Sequence, residues 1–295
     1  MQDTEDRRAL RDGLIAVTAF AATLPLTRIA LEGFAPMPLT FGRLLGAAVP
    51  AFLLLNVVKA PLPKRHQLGG LVLVALGGVF GFPLLTALAL DGRAAAPAAV
   101  PLALMPLATA AWSRLRAHEH PSTMFWLWAV AGSGVVLHFV WSSGPATVAP
   151  ELLGAALAAS IAYAEGGRLA REMPGWQVMA WALMLAAPGA ALGFGYTWAD
   201  LSPPASAAPW LALAFLAVIS QFGAFWFWYR ALAAGVARAG QLQLLQPFLT
   251  QLLAAALLGE SIPPDLWLYA AMVVATVGFA RQRASRTLET AQETP

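Results

Sequence analysis

The sequence predicts an all-α integral membrane protein with ten transmembrane helices, arranged as two inverted repeats of five helices each. Composition is the first reason: 59% of the 295 residues are hydrophobic and only 11% are charged, whereas soluble domains carry about 25% charged residues. The second reason is that the chain divides into apolar runs of membrane-spanning length. The third is an internal repeat whose offset is nearly half the chain.

The apolar runs are separated by proline, glycine and charged clusters. A helix crosses the bilayer core with about 20 mostly apolar residues. The loops between the runs are short, so they leave no room for a soluble domain. The predicted spans are 11–31, 38–58, 67–90, 94–114, 122–142, 151–171, 176–197, 208–230, 234–257 and 264–282.

The basic residues fall mainly on one side of the predicted membrane. If the N-terminus is cytoplasmic, all of them except Arg28, Arg43 and Arg93 lie in cytoplasmic loops or at cytoplasmic helix ends. Membrane proteins keep an excess of lysine and arginine on that side. The pattern therefore predicts that both termini are cytoplasmic, and it supports an even number of spans.

The internal repeat joins residues 100–119, VPLALMPLATAAWSRLRAHE, to residues 241–260, QLQLLQPFLTQLLAAALLGE. At this offset Pro106 aligns with Pro247, and Glu119 aligns with Glu260. The duplication divides the chain into a first half, 1–145, and a second half, 146–295. The two glutamates fall at helix ends, where we expect them to cap helices or form ion pairs.

Each half contains five predicted helices. Because five is an odd number, the second half enters the membrane from the opposite side, and the repeats are inverted. Inverted repeats recur in secondary transporters, which bind their substrate near the membrane midplane between the halves. The alternative is an apolar scaffold that has duplicated without acquiring transport.

The ninth predicted helix carries the most polar side chains. Gln243, Gln246 and Thr250 fall on one face by their spacing of three and four residues. Amides in contact with lipid would leave donors and acceptors unpaired, so this face should point inward. Two interpretations stay open: a hydrogen-bonding wall for a polar solute, or bonds between helices.

Two prolines occupy corresponding positions in the two halves. Pro247 in the ninth helix and Pro106 in the fourth should each kink or loosen their helix, because proline removes a backbone hydrogen bond. Paired interruptions of this kind point to a transporter's binding site and its gating helices. Proline is also commoner in membrane helices than in soluble ones, which is the plainer explanation.

Aromatic side chains are concentrated in the eighth helix. Gln221, Phe222 and Trp226 should lie deep in the membrane, where they could form a flat cavity wall for an apolar or aromatic solute. Aromatic residues are also ordinary packing residues.

Two ionisable residues lie inside predicted spans. Arg43, in the second helix, could hold a carboxylate in a forked pair, or it could extend to the lipid headgroups. Glu165, in the sixth helix, could exchange protons during transport if it is desolvated. It could equally form an ion pair with Arg168, three residues further on.

Several kinds of chemistry have no basis in this sequence. The chain has no cysteine, its histidines lack metal-ligand spacing, and no P-loop, H-E-x-x-H or G-x-S-x-G motif occurs. We therefore expect no metal, no cofactor and no enzymatic activity. The net charge of +3 is spread along the chain without the clustered basic face of a nucleic-acid-binding protein.

The second half closely resembles the EamA-type repeat of the drug/metabolite transporter superfamily, which runs W-x-x-A-L, a small-residue stretch, a proline, and an apolar run to L-G-E. The first half matches more loosely: Arg43 is similar to an arginine early in the family's second helix, and Glu119 is preceded by Ala-His instead of Leu-Gly. The matching residues of the second half are Trp228, Ala231, Leu232, Pro247, Leu258, Gly259 and Glu260.

The resemblance implies a bacterial inner-membrane transporter that exports small amphipathic metabolites, such as amino acids, by alternating access. Its cavity would be lined chiefly by the third, fourth, eighth and ninth helices. Its partners would be the small-molecule substrate and the lipid bilayer, and the fifth and tenth helices could mediate a homodimer. The alternatives are a broad-specificity drug-efflux transporter and, from another class, a non-transporting membrane scaffold or enzyme.

Overall fold

The structure, a computed structural model, describes residues 2–93, 104–116, 119–142, 150–197 and 204–292. The described residues form helices and no strands, and the helices overlap each of the ten predicted spans. In the first half they are α1 (Gln2–Ala21 and Thr23–Ala30), α2 (Pro36–Val57), α3 (Arg65–Val74, a π-helix Ala75–Gly81 and Phe82–Leu90), α4 (Met105–Arg116) and α5 (Thr123–Ser142).

The second half follows the same order. Its segments are α6 (Pro150–Leu169), α7 (Gly175–Tyr196), α8 (Ala207–Ala214, a π-helix Phe215–Gly223 and Ala224–Ala233), α9 (Val236–Gly240, a 3₁₀-helix Gln241–Leu245 and Gln246–Leu258) and α10 (Leu266–Gln292).

Within the described ranges, six segments are long and apolar enough to cross a membrane: α1, α2, α3, α7, α8 and α9. Two shorter apolar stretches lie in α5 and α10. The protein is therefore a multi-pass membrane protein, and the count of ten crossings stays a prediction. The outer surface fits this environment, since large apolar side chains such as Val57, Leu192 and Trp267 are 65–79% exposed.

The core lies where helices from the two halves meet. Trp228 and Tyr229 of α8 are fully buried, and Trp228 packs edge-on against Phe20 of α1 and Tyr163 of α6. Glycine brings helices together elsewhere: a Cβ atom at Gly77 would lie 2.3 Å from the carbonyl oxygen of Ala158. The α3 and α6 backbones can approach this closely only because the side chain is absent.

Extensive helix contacts join α1 to α8, α3 to α6, α2 to α7 and α5 to α10. The last pair is fixed by aromatic side chains near both ends. Trp128 stacks on Phe279 with centroids 5.0 Å apart, and His138 lies 5.6 Å from Tyr269. The start of α5 therefore faces the middle of α10 and the end of α5 faces the start of α10, so the two helices run antiparallel.

Both prolines that were predicted to kink or loosen a helix lie near the beginning of a regular α-helical stretch. Pro247 is the second residue of Gln246–Leu258, and Pro106 is the second residue of Met105–Arg116. A missing N–H has no cost in the first turn of a helix. The irregularity in α9 is the 3₁₀-helix just before Pro247, while most of the residues that precede Pro106 lie outside the described ranges.

Candidate functional site

A narrow cavity lies between the two halves, at the level where α3 and α8 are π-helical. Seven segments line it: α1, α2, α3, α4, α6, α8 and α9. Between the side chains it has room for about one water molecule. The polar residues of its wall are Thr23, Arg43, Ser220, Gln221 and Gln246, and its aromatic residues are Phe20, Phe82, Tyr163 and Phe225.

Arg43 is the charged member of this wall. Its side chain is only 4% exposed, so it does not extend to the lipid headgroups. Its Nη2 donates to Ser220 Oγ at 3.3 Å, whereas its Nε has no partner. Among the described residues, no carboxylate forms an ion pair with it.

Small residues allow α2 and α8 to pack closely beside Arg43. A Cβ atom at Gly46 would lie 3.0 Å from the Cβ of Ala217, so α8 packs closely on the α2 face next to Arg43. Ser220 is shared, because its hydroxyl also lies 2.8 Å from the Thr23 hydroxyl of α1. The guanidinium is therefore held at one edge only, with donor capacity left over.

Gln221 connects the two π-helices. Its Nε2 donates to the Gly78 carbonyl at 3.1 Å, while its Oε1 has no partner among the residues that the structure describes. The side chain is fully buried. One half of this amide thus fixes α8 to α3, and the other half is an unused acceptor at the cavity.

Gln246 and Thr250 both reach across to α1. Gln246 Nε2 donates to the Phe20 carbonyl at 3.4 Å, and Thr250 Oγ1 donates to the Ala21 carbonyl at 3.0 Å. The Ala21 carbonyl is free because Pro25, four residues on, has no N–H to donate to it. Thr250 and Gln246 thus both join α9 to α1. The Oε1 atom of Gln246 has no partner among the described residues.

Gln243 lies one 3₁₀ turn before Gln246 and is 1% exposed. It is not part of the cavity wall, but it lies next to the Tyr163 side chain. Neither its amide nitrogen nor its oxygen makes a hydrogen bond of good geometry with the described residues.

The predicted aromatic wall is only partly placed at the cavity. Phe222 is buried but does not line it, and Trp226 is 37% exposed, beside Trp176. Phe225 takes that place, with its ring centroid 4.9 Å from that of Phe20. The sequence does contain a signal for Phe225: it lies four residues after Gln221, on the same helical face.

Glu165 lies outside the cavity, in a group that we call the charged cluster (Arg116, Glu165, Arg168 and Glu172). Its buried carboxylate accepts from Arg116 Nε at 2.7 Å and from Arg168 Nε at 3.1 Å. Trp112 Nε1 donates to it at 3.3 Å. The expected ion pair with Arg168 is present, and Arg116 of α4 is a further partner that local spacing did not indicate.

Glu172 lies in the turn after α6, outside the spans. Hydrogen bonds from Gln67 at 3.0 Å and His66 at 2.8 Å hold the pKa of its carboxyl below the usual range. Arg168 contributes in the same direction. The charged cluster thus ties the ends of α3, α4 and α6 together.

Glu119 caps a helix of the other half. Its two carboxylate oxygens accept from the backbone N–H groups of Val236 and Ala237, each at 2.9 Å. Arg171 pairs with the same carboxylate. A carboxylate at a helix N-terminus is stabilised by the free N–H groups there, so the expected structural role of this glutamate agrees with its contacts.

A family model for the EamA-like transporter family matches residues 13–140 and 151–281. The chain belongs to the EamA-like transporter family. This confirms the resemblance to the drug/metabolite transporter superfamily: the protein is a membrane transporter, not an enzyme.

The described residues contain no group of three His, Cys, Asp or Glu side chains that could hold a metal ion.

Two further comparisons cover nearly the whole EamA-like chain. A Bacillus subtilis (strain 168) protein named "Uncharacterized transporter YdeK" is 40% identical over 281 residues, which are 92% of this chain and 96% of that protein. A solved structure described as "Crystal structure of protein" is 20% identical with a TM-score of 0.69, covering 92% of this chain and 98% of that one. At this identity the second likeness concerns the fold alone.

Proposed function

We propose that the protein is a secondary-active exporter of small amphipathic metabolites that carry a carboxylate, amino acids above all. The observation behind the proposal is Arg43, a buried guanidinium in the central cavity with an unpaired Nε and no carboxylate partner among the described residues. An ionisable side chain inside a membrane protein is costly, and such residues usually serve a function. A substrate carboxylate would supply the missing counter-charge.

The rest of the cavity wall fits an amino acid. The unpaired Oε1 atoms of Gln221 and Gln246 are acceptors for the ammonium group, since an amide oxygen can take up to two hydrogen bonds. Phe20, Phe82 and Phe225 provide an apolar surface for the side chain. Pockets for small organic molecules combine few polar groups with apolar walls in this way.

Broad efflux of cationic drugs is less consistent with this wall. None of the described lining residues is a carboxylate, and the buried carboxylate of Glu165 is already paired with two arginines. A cationic drug would meet Arg43 without an opposing negative charge, which is unfavourable in a buried site.

We also propose that the ten helices form two inverted repeats, residues 1–145 and 146–295. The packing of α5 on α10 supports this arrangement. With an offset of 141, Trp128 corresponds to Tyr269 and His138 to Phe279, so the contact Trp128–Phe279 becomes the contact Tyr269–His138. Both contacts are present. Equivalent helices that pack antiparallel are expected when the two halves point in opposite directions.

The other contacts follow the same exchange. The α1–α8 contact corresponds to α6–α3, and both are among the most extensive. The π-helices at Ala75–Gly81 and Phe215–Gly223 start 140 residues apart. The family match to 13–140 and 151–281 is likewise split between the halves.

Transport would proceed by alternating access. The cavity has room for about one water molecule, so a solute can enter only if the lining helices separate. The π-helices of α3 and α8 flank the cavity, and such segments often occur where helices bend at functional sites. Without an ATP-binding motif, a gradient of solute or ions would drive the cycle.

The membrane would be the bacterial inner membrane, with both termini cytoplasmic as the basic residues predict. In this orientation the charged cluster and Glu119 close the cytoplasmic end. Export then requires these contacts to open and admit the substrate from the cytoplasm.

Counterflow in proteoliposomes tests the proposal. Purified protein would be assayed with labelled amino acids, sugars and cationic dyes. We expect saturable exchange of at least one amino acid and none of the dyes. Folded, membrane-inserted protein that exchanges only dyes, or none of these solutes, would contradict the proposal.

A further inference from the structure

Two buried glutamines outside the cavity wall lack hydrogen bonds of good geometry. Gln241 and Gln243 are each 1% exposed, and neither amide makes such a bond with the described residues. An unpaired amide in an apolar interior is unfavourable, and such groups are rare enough that each calls for an explanation.

The 3₁₀ geometry of Gln241–Leu245 directs these two side chains differently. Side chains three residues apart are eclipsed in a 3₁₀-helix. Gln243 therefore shares a face with Gln246, which lines the cavity. Gln241 shares a face with Leu244, and Leu244 contacts Gly132 of α5.

Gln243 lies close to the cavity. Three residues of 3₁₀-helix rise about 6 Å, so Gln243 lies about one turn from Gln246. Tyr163 bridges the two positions, because it lines the cavity and also lies next to Gln243. Among the described residues, Arg43 is the only charged residue that lines the cavity.

We propose that Gln243 and Tyr163 form a second subsite for the substrate carboxylate, between the cavity and the N-terminal end of α9; this rests on the proposed function. The Gln243 amide offers two N–H donors and the Tyr163 hydroxyl one. Hydrogen bonds from neutral donors are weaker than those from a guanidinium. The carboxylate is therefore held briefly here and passes on to Arg43.

The subsite should be reached first from one face of the membrane only. In the orientation proposed above, the N-terminal end of α9 faces the cytoplasm, so a solute entering from the cytoplasm meets Gln243 before Arg43. A solute entering from outside meets Arg43 first. Loss of Gln243 should therefore weaken loading from one face only.

The test compares Gln243→Met with Gln241→Met, a matched change of an equally buried, equally unpaired amide on another face. Half-saturating concentrations of the labelled amino acid with the highest counterflow would be measured in inverted and in right-side-out membrane vesicles. For Gln243→Met we expect an increase of about tenfold at the cytoplasmic face, equivalent to one lost hydrogen bond. At the outer face, and for Gln241→Met at both faces, we expect changes below about twofold.

Methionine keeps the length and helix propensity of glutamine, and melting temperatures in detergent would verify folding. Tyr163→Phe, which removes only the hydroxyl, is the second variant and should shift the cytoplasmic value in the same direction. Equal shifts at both faces, an unchanged cytoplasmic value, or an equal loss in Gln241→Met would overturn the subsite while leaving the proposed function intact. A wild-type protein that exchanges no amino acid would overturn both.

Discussion

The cavity and the charged cluster both contain a buried ionisable group, but they differ in how fully that group is hydrogen-bonded. Among the described residues, Arg43 in the cavity has one hydrogen-bond partner, Ser220, at 3.3 Å, and its Nε has none. Glu165 in the charged cluster has three partners, from Arg116 at 2.7 Å to Trp112 at 3.3 Å. The first site can still bind a ligand, whereas the second has little capacity left.

This difference distinguishes a candidate ligand-binding group from a group that holds helices together. A carboxylate with three donors holds α4 and α6 together. Removing it would leave Arg116 without a counter-charge among the described residues and Arg168 with Glu172 alone. A guanidinium with spare donors has a desolvation cost that a ligand can offset. Spare hydrogen-bonding capacity, rather than charge alone, marks the proposed binding site.

Replacing Arg43 should produce the largest effect. In Arg43→Gln we expect exchange of amino acids to fall by about 100-fold, since a hydrogen bond to a charged group contributes up to about 3 kcal/mol. The melting temperature in detergent should stay the same or rise, because a buried charge is removed. Arg28→Gln is the control, an arginine of α1 outside the cavity wall. Equal losses in both variants would point to a general effect of charge.

Replacing Glu165 should mainly change stability. We expect Glu165→Gln to lower the free energy of unfolding by about 2 kcal/mol, less than for a fully buried pair because Arg116 is half exposed. Denaturant titration in detergent measures this change. Exchange lost at full stability would instead favour the proton-coupling interpretation of Glu165.

Replacing Gln246 should affect one class of substrate more than another. In Gln246→Leu we expect the half-saturating concentration for amino acids to rise about tenfold, the loss of one hydrogen bond to the charged ammonium group. Carboxylates without an amino group should be less affected, because they do not need the Oε1 acceptor. Counterflow with an amino acid and its deaminated analogue makes the comparison, and equal losses for both would argue against an ammonium site.

The smallest effect concerns pH. Because the pKa of Glu172 is lowered on folding, its contribution to stability is present at neutral pH and is lost as the pH falls below about 4.3 through the folded pKa. We expect Glu172→Gln to be less stable than wild type by about 0.5 kcal/mol at pH 7, since the carboxyl is partly exposed. Melting temperatures at pH 7 and pH 3 should show this gap closing; a constant gap would exclude the ionised carboxylate as its cause.

Sequence patterns were sufficient for features that depend on composition and local spacing. Hydropathy placed the helices, and the cost of polar groups in lipid pointed Gln246 inward, where it lines the cavity together with Gln221 and Arg43. The same reasoning grouped Thr250 with Gln246. It could not foresee that Thr250 bonds to the Ala21 carbonyl, because that depends on Pro25 in a distant helix.

Features that depend on backbone irregularity or on distant partners were beyond the sequence. The hydropathy pattern predicted continuous helices and did not predict the π-helical segments of α3 and α8. The pairing of Arg116 with Glu165 joins residues 49 positions apart. Local spacing indicated only the nearer arginine, Arg168.

Discrimination between an amino acid and its amide tests the carboxylate site most directly. The two solutes have nearly the same size, and only the amino acid presents a carboxylate to Arg43. In counterflow we predict that wild type exchanges the amino acid and largely rejects the amide, and that Arg43→Gln loses this preference. Equal exchange of both solutes by the wild-type protein would contradict the account.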